Sequence, residues 1–395
     1  MESDMEQFDV VVVGGGPCGA TAAETLAKAG RRVLLLDRAG RTKPCGGAIP
    51  PRLIRDFEIP DHLIVSKART AEIISPKNRH VPMPIEGGYV GMVDRDVFDP
   101  FLRARAVQAG AVLRAGLFET FARDEEGRPL ITYLAKDGGP VTVRAKAVIG
   151  ADGALSAVGR QTMKRAERVR YVFAYHEIIK SPAASADWDP SRCDIYYNGA
   201  LSPDFYSWIF PHGDTTSIGT GSAQKGFSLR NAVGDLRTAT GLTGAETIRR
   251  EGAPLPLQPL KVWDNGKDVL LAGDAAGVVA PASGEGIYYA MLSGQMAAQA
   301  VAEFCEHGEA KALRLARKRF MKEHGNVFRV LGIMQRFWYN NDNRRERFVA
   351  ICKDPDVQYL TWQAYMSKAL VIAKPGAHMR IFMKCMGHLT GLAAS

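Results

Sequence analysis

The stretch Phe8-Asp9-Val10-Val11-Val12-Val13-Gly14-Gly15-Gly16-Pro17-Cys18-Gly19 decides the fold. A β-branched run enters a glycine turn, and Ala20 to Ala29 beyond it are rich in helix formers and stop at Gly30. The pattern predicts strand, tight turn and helix. A second apolar run, Arg32-Val33-Leu34-Leu35-Leu36, ends at Asp37, so residues 8–38 predict one βαβ unit of a parallel sheet.

Gly14, Gly16 and Gly19 stand at GxGxxG spacing, with Asp37 18 residues after the last glycine. In a strand–turn–helix context each has a task. Gly14 permits the tight turn, Gly16 lets backbone approach a pyrophosphate, and Gly19 lets helix pack on strand, with the phosphates at the positive end of the helix. Asp37 would accept from the adenosine ribose hydroxyls and repel a 2′-phosphate. The site therefore suits FAD or NAD and not NADP; a glycine turn with no ligand is the blander alternative.

Two further apolar strands run into glycine: Arg144-Ala145-Lys146-Ala147-Val148-Ile149-Gly150 and Asp268-Val269-Leu270-Leu271-Ala272-Gly273. Both read as central strands of the same sheet. The first leads into Ala151-Asp152-Gly153, then Ser156 and Arg160, and the second into Asp274-Ala275-Ala276-Gly277, then Pro281 and Gly284-Glu285-Gly286. Between them residues 166–262 gather Tyr, Trp, Phe and Pro with no βαβ rhythm, as expected of an inserted antiparallel sheet forming a substrate lobe. From Glu285 the chain reads helical, and Leu313, Ala316, Phe320, His324, Val327, Leu331, Met334 and Trp338 recur at the spacing of one helix face.

Composition sets outer limits. With 395 residues, 46% hydrophobic and 24% charged, the chain is an ordinary globular protein with room for two or three lobes. A net charge of +9 suits an acidic partner: a phosphorylated substrate, an anionic membrane surface or nucleic acid. No nucleic-acid motif supports the last. No apolar run approaches the roughly 20 residues that span a bilayer, and Met1 to Glu6 lack a signal-peptide pattern, so the expected place is the cytoplasm, in solution or at a membrane surface. Cys18, Cys45, Cys193, Cys305, Cys352 and Cys385 are scattered, with neither a CxxC pair nor a histidine cluster, which points to no disulfide framework and no metal.

Taken together, the three glycine-bearing stretches resemble the two-dinucleotide-binding-domain flavoproteins of the p-hydroxybenzoate hydroxylase fold across residues 8 to 300. The resemblance implies an α/β fold: a discontinuous FAD-binding Rossmann-like domain of residues 1–165 plus 263–305, an α+β antiparallel-sheet substrate domain of 166–262, and a C-terminal helical region of 306–395. Residues 67–95 are a candidate to join the substrate lobe. It also implies that Asp37 and Arg38 contact FAD, that Asp274 hydrogen-bonds the ribityl chain, and that Gly284 and Gly286, after Pro281, offer N–H groups to the flavin ring or pyrophosphate. Asp152-Gly153 becomes a turn near the cofactor. Asp94-Arg95-Asp96-Val97-Phe98-Asp99 matches the helix start whose polar side chain, here Arg95, reaches FAD, with a surface helix-cap cation as the alternative. No second GxGxxG is present, so NADPH would bind transiently.

Lys43-Pro44-Cys45-Gly46-Gly47-Ala48 and Tyr206-Ser207-Trp208-Ile209-Phe210-Pro211 narrow the likeness to the geranylgeranyl reductases, and Lys43 to Arg52 most to those of chlorophyll and bacteriochlorophyll biosynthesis. Gly159-Arg160 is a small departure, since the pattern usually has a larger residue before the arginine. The implied reaction reduces isolated C=C bonds of a geranylgeranyl chain, in the diphosphate or on a pigment, to a phytyl chain, with FAD as cofactor and NADPH as donor. Cys45 is the candidate catalytic residue near the alkene, as proton donor or as a small wall, with a purely shape-forming turn as the alternative. Gly46, Gly47, Tyr206, Trp208 and Phe210 are the expected substrate contacts, the three aromatics sharing one strand face. Residues 311–350 hold eleven Lys/Arg against three Asp/Glu. With Trp338, Tyr339 and Ile381-Phe382-Met383 they are a candidate surface for an anionic photosynthetic membrane, against the blander reading of a solvated helix back. An FAD-dependent aromatic monooxygenase shares every FAD motif but consumes oxygen. A non-catalytic isoprenoid carrier has no need of Asp37 or of Gly273-Asp274.

Overall fold

The computed structural model describes residues 5–38, 43–136, 138–164, 169–183 and 188–368. They form two compact units. The first draws on Met1–Lys43, Arg95–Tyr171 and Pro254–Gly325, the second on Pro44–Asp94, Val172–Ala253 and Asn326–Ser395.

The first unit is built on a parallel sheet whose strands run in the order Val112–Arg123, Val33–Asp37, Gln7–Val13, Pro140–Gly150 and Val269–Leu271. Val10, Val11, Val12, Val33, Leu34 and Leu35 are each fully buried, the unbroken apolar run of a sheet covered on both faces. The strand Pro129–Ala135 pairs antiparallel with the later part of Val112–Arg123 and the start of Pro140–Gly150, adding a meander. The helix Pro17–Lys28 packs against Ile287–His307 and Arg95–Gln108. Its contact with Ile287–His307 is close enough that a Cβ on Gly294 would lie 2.3 Å from the Cys18 carbonyl oxygen. Arg31, just beyond the first helix, bonds the Ala302 carbonyl at 3.4 Å, so the two helices run in the same sense.

The second unit carries a seven-stranded sheet in the order Thr247–Pro256, Tyr171–Lys180, Thr215–Ser222, Ser207–His212, Arg192–Tyr196, Thr70–Ile74 and His80–Pro84. Its central pairs are antiparallel, but Arg192–Tyr196 and Thr70–Ile74 pair parallel. This pairing of segments more than a hundred residues apart explains a difference from the sequence reading. Residues 44–94 as a whole fall in this unit, not only 67–95, and the described residues 326–368 join it instead of forming a region of their own. Local patterns do not encode such long-range pairing.

The helix Arg314–Trp338 buries the predicted face: Ala316, Phe320, His324, Val327 and Trp338 are buried, Leu331 and Met334 half-buried. The helix Asp342–Ile351 follows, capped by the Asn341 side chain, which accepts from Arg344 N–H at 2.9 Å. Arg345, one of the eleven basic residues read as a surface patch, is only 2% exposed. It donates to Asp342 at 2.6 Å, to the Ser202 carbonyl at 3.1 Å and to the carbonyls of Pro203 and Tyr339. The cation is a structural clamp between the 198–205 loop and the C-terminal helices, because a guanidinium has enough donors to bond three carbonyls and a carboxylate at once. Among the described residues no helix is long and apolar enough to cross a membrane. Ile381-Phe382-Met383 lie outside the described residues. Replacing Arg345 by Ala removes these bonds from a buried position and is expected to cost roughly 3 kcal/mol, seen as a lowered melting temperature with the flavin spectrum retained; an unchanged melting temperature would remove the clamp.

Candidate functional site

In the first unit the turn after Gln7–Val13 forms a cradle with no room for side chains on its inner side. Gly14 has φ +105°, and a Cβ there would lie 2.4 Å from the Ala151 carbonyl oxygen; one on Gly19 would lie 1.8 Å from the Gly14 carbonyl oxygen. Strand 140–150, the turn and the helix Pro17–Lys28 therefore touch through backbone alone. Gly16 differs: a Cβ there meets only the Arg95 Nη2, at 4.0 Å. The surface over Gly16 is open, faces a guanidinium and lies at the N-terminus of a twelve-residue helix, an arrangement whose chemistry suits a pyrophosphate.

Asp37 ends the second strand and accepts from Gly15 N–H at 3.0 Å. Arg103 holds it from the other side at 3.3 Å and donates to the Gly15 carbonyl at 3.0 Å. The carboxylate remains about a quarter exposed, 23%, so it can still accept from hydroxyls. Arg38 next to it is exposed. Arg95 is 6% exposed and pairs with Asp99 through two bonds of 2.6 and 2.8 Å, which excludes the surface helix-cap alternative.

Asp152 and Asp274 have different roles. Asp152 accepts from Ser156 Oγ and from the N–H groups of Ala157 and Val158, at 2.7 and 3.1 Å for the last two. It caps the helix Ala157–Thr162, and burial pushes its carboxyl above the usual range against these bonds. Gly153 turns the chain with φ +86°. Asp274 is 8% exposed and forms an ion pair with Lys43. Behind it burial pushes the Cys18 thiol up, with the Asp274 charge adding to the effect. The Gly284 N–H donates to the Ala280 carbonyl at 2.8 Å, so it is turned into the chain, contrary to the expectation that it is offered outward. Pro281 is buried, and Gly286 caps the helix Ile287–His307, a Cβ there lying 3.8 Å from Asp274 Oδ1. The helix end lies beside the Asp274 carboxylate, and its Tyr288 N–H donates to Glu285 Oε1 at 3.0 Å.

In the second unit the Cys45-Gly46-Gly47 turn rests on the Ser207–His212 strand. A Cβ on Gly46 would lie 3.2 Å from the Phe210 ring and 3.9 Å from Trp208 Nε1. Tyr206, just ahead of the strand, Trp208 and Phe210 form a continuous row with centroids 5.9 and 6.1 Å apart. Tyr206 and Trp208 are buried and Phe210 half-buried. Burial pushes the Tyr206 phenol up, with Tyr339 and Cys45 contributing. Cys45 is half-buried, and its Sγ accepts from Gly47 N–H at 3.4 Å.

The indole of Trp208 lies over Gly219, its cross-strand partner, where a Cβ would come within 2.2 Å of the ring. Its N–H donates to Ser217 Oγ at 3.1 Å, Ser217 meets His176 Nδ1 at 2.9 Å, and His176 Nε2 meets Glu251 at 3.2 Å. Every bond is satisfied if protons point from Trp208 towards Glu251, with neutral His176 carrying its proton on Nε2. This buried chain fixes the plane of the indole.

Residues 7–319 match the family described as FAD binding domain. A geranylgeranyl diphosphate reductase of Rhodobacter capsulatus is 54% identical over 387 residues, 98% of each chain. The chain belongs to the geranylgeranyl reductase family. The Synechocystis geranylgeranyl diphosphate reductase is 35% identical over 96% of this chain and 97% of its own. A solved geranylgeranyl bacteriochlorophyll reductase-like protein of Thermoplasma acidophilum superposes with TM-score 0.75 at 23% identity, over 98% and 99% of the two chains, and a flavin-dependent brominase with 0.76 at 19%, over 98% and 100%. These last two likenesses establish the common fold.

The family's cofactor domain thus agrees with the cradle: open backbone over Gly16, two helix N-termini and an acid at Asp37 fit FAD. Sequence reasoning missed Arg103, Lys43 and His212. Arg95, Asp99 and Arg103 recur every four residues on one helix face, and His212 continues the alternation of 206, 208 and 210, so signals were present for two of them. Lys43 lay inside a quoted motif with nothing local to name its partner. Asp37→Ala is expected to weaken FAD binding at least about tenfold in fluorescence titration; unchanged affinity would remove Asp37 from the cofactor site.

Proposed function

We propose that this chain is an FAD-dependent reductase that saturates isolated C=C bonds of a geranylgeranyl chain and leaves a phytyl chain, with NADPH as the electron source. The observation that carries the reading is the end-to-end identity of 54% to a geranylgeranyl diphosphate reductase. The Cys-Gly-Gly turn seated on an aromatic row supports it. In the first unit Gly14, Gly16, Gly19, Asp37, Arg95 and Asp274 hold the cofactor, and Arg103 and Lys43 orient the two acids. In the second unit Tyr206, Trp208 and Phe210, with Gly46 and Gly47, receive the prenyl chain.

Bound FAD supplies, in its reduced form, the hydride that a C=C bond without an adjacent carbonyl requires. The chain's own residues do the rest. Gly46 has no side chain, so the turn seats directly on the Phe210 and Trp208 rings, and the Ser217–His176–Glu251 relay keeps the indole from turning. Apolar walls exclude water, which keeps the added proton under the control of the site. The Cys45 thiol gives that proton to the second alkene carbon, and its sulfur is reprotonated from solvent.

Anaerobic incubation of the FAD-loaded protein with NADPH and geranylgeranyl diphosphate is expected to yield products heavier by two mass units per reduced bond, and Cys45→Ser to lower kcat at least about tenfold with FAD still bound. Oxygen-dependent hydroxylation, or flavin oxidation with no reduced prenyl product, would overturn the reading. The pigment-esterified chain, run in parallel, distinguishes a step in chlorophyll or bacteriochlorophyll formation from reduction of the free diphosphate.

We further propose peripheral contact with the cytoplasmic face of the photosynthetic membrane. On the helix Arg314–Trp338, Val330 and Ile333 are 37% and 61% exposed beside the exposed cations Arg329 and Arg336. An apolar strip flanked by arginines suits an anionic bilayer surface. The protein should float with phosphatidylglycerol vesicles at low salt and lose most of that binding after Ile333→Glu; equal flotation of the two proteins would refute the contact.

A further inference from the structure

His212 ends the Ser207–His212 strand, is 7% exposed and lies under the Cys45-Gly46-Gly47 turn. Its Nδ1 is 3.0 Å from Asp94 Oδ1 and its Nε2 is 3.0 Å from the Gly46 carbonyl oxygen. Both partners accept hydrogen bonds, and an imidazole satisfies two acceptors only with a proton on each nitrogen. The ring thus bridges the Asp94 carboxylate and the Gly46 carbonyl.

The same ring fills the place of a side chain at Gly47. Gly47 has φ +70°, and a Cβ there would lie 2.4 Å from His212 Cε1 and 2.5 Å from the Val93 carbonyl oxygen. The Gly47 carbonyl accepts from Val93 N–H at 3.0 Å, and the Gly47 N–H points to the Cys45 sulfur. The peptide between Gly46 and Gly47 is thus held at its oxygen by His212 and gives its N–H to the thiol. A rotation of that peptide moves both bonds at once.

We propose that His212, backed by Asp94, is a positioning residue for the reduction: by holding the Gly46 carbonyl it fixes the direction of the Cys45 thiol. The inference rests on the role given to Cys45 above and extends it to residues that do not themselves touch the substrate. It explains why the aromatic alternation of the strand ends in a histidine: position 212 shares the face that carries Trp208 and Phe210, and there the turn's carbonyl needs a donor.

The test compares full-length FAD-loaded wild type with His212→Leu, which removes both bonds, and His212→Gln, whose amide nitrogen replaces Nε2. Two readouts are taken: kcat and KM for geranylgeranyl diphosphate, and the rate of iodoacetamide alkylation at Cys45 followed by peptide mass spectrometry. His212→Leu should lower kcat about tenfold or more while KM changes less than about threefold, and should raise the alkylation rate at least about threefold. His212→Gln should restore most of both. Wild-type kcat and alkylation in the Leu variant, or Leu and Gln variants equally impaired, would overturn the proposal. If the Leu variant fails to retain FAD and melt cooperatively, Asp94→Asn replaces it: a partial fall in kcat with faster alkylation supports the assignment, and unchanged values overturn it. Alkylation needs no substrate. Failure of the wild type to turn over geranylgeranyl diphosphate would therefore count against the proposed function, while unaltered alkylation counts against His212.

Discussion

The cofactor unit depends on a contact without side chains. At Gly14 and Gly19 the first strand's exit, the first helix and the Pro140–Gly150 strand meet backbone to backbone, at distances that a single methyl group would abolish. Because the chain passes so closely, the helix Pro17–Lys28 starts directly beside the sheet, with open space over Gly16 at its N-terminus. The rest of the cradle is arranged around that helix end: Asp37 is drawn to Gly15 N–H, Arg103 spans both, and Arg95, locked by Asp99, lies against Gly16. The second helix end, at Gly286, belongs to a helix that packs on the first through another glycine, Gly294. An anion-binding helix end would therefore be a consequence of packing, and in the proposed site the acids Asp37 and Asp274 would add selectivity for hydroxyl groups.

The substrate unit follows the same logic at a different place. Gly219 admits the indole of Trp208, Gly46 lies against the Phe210 ring, and Gly47 yields its side-chain space to His212. Space surrendered by backbone is taken by aromatic rings. The rings in turn are oriented by polar partners that sit behind them, Ser217 and His176 for the indole and Asp94 for the imidazole. The aromatic row and the Cys45-Gly46-Gly47 turn thus rest against one strand, and both are supported from beneath.

Much of this was legible in the chain. The Phe8 to Gly19 stretch, Asp37 and the two later strands are local signals, because a buried parallel strand and a glycine turn are written in consecutive residues. Arg95 was placed near the cofactor by resemblance, and its burial required the structure to establish it. What escaped was non-local. No periodicity announces that Thr70–Ile74 pairs with Arg192–Tyr196, or that Lys43 meets Asp274. Net charge misled at Arg345, since a basic residue on a helix looks solvated until the carbonyls around it are known. Gly284 misled in a subtler way: its φ of +64° explains the glycine without any outward N–H.

In the proposed function one unit of this chain cradles FAD while the Cys45-Gly46-Gly47 turn and the Tyr206–Phe210 row of the other receive a prenyl chain. A diazirine-bearing geranylgeranyl diphosphate, irradiated with the FAD-loaded protein and mapped by peptide mass spectrometry, tests it most directly. Adducts at residues 45–47 and 206–210 that disappear when unlabelled geranylgeranyl diphosphate is added are the predicted result. Saturable adducts confined to the 112–135 strands of the first unit would contradict the account.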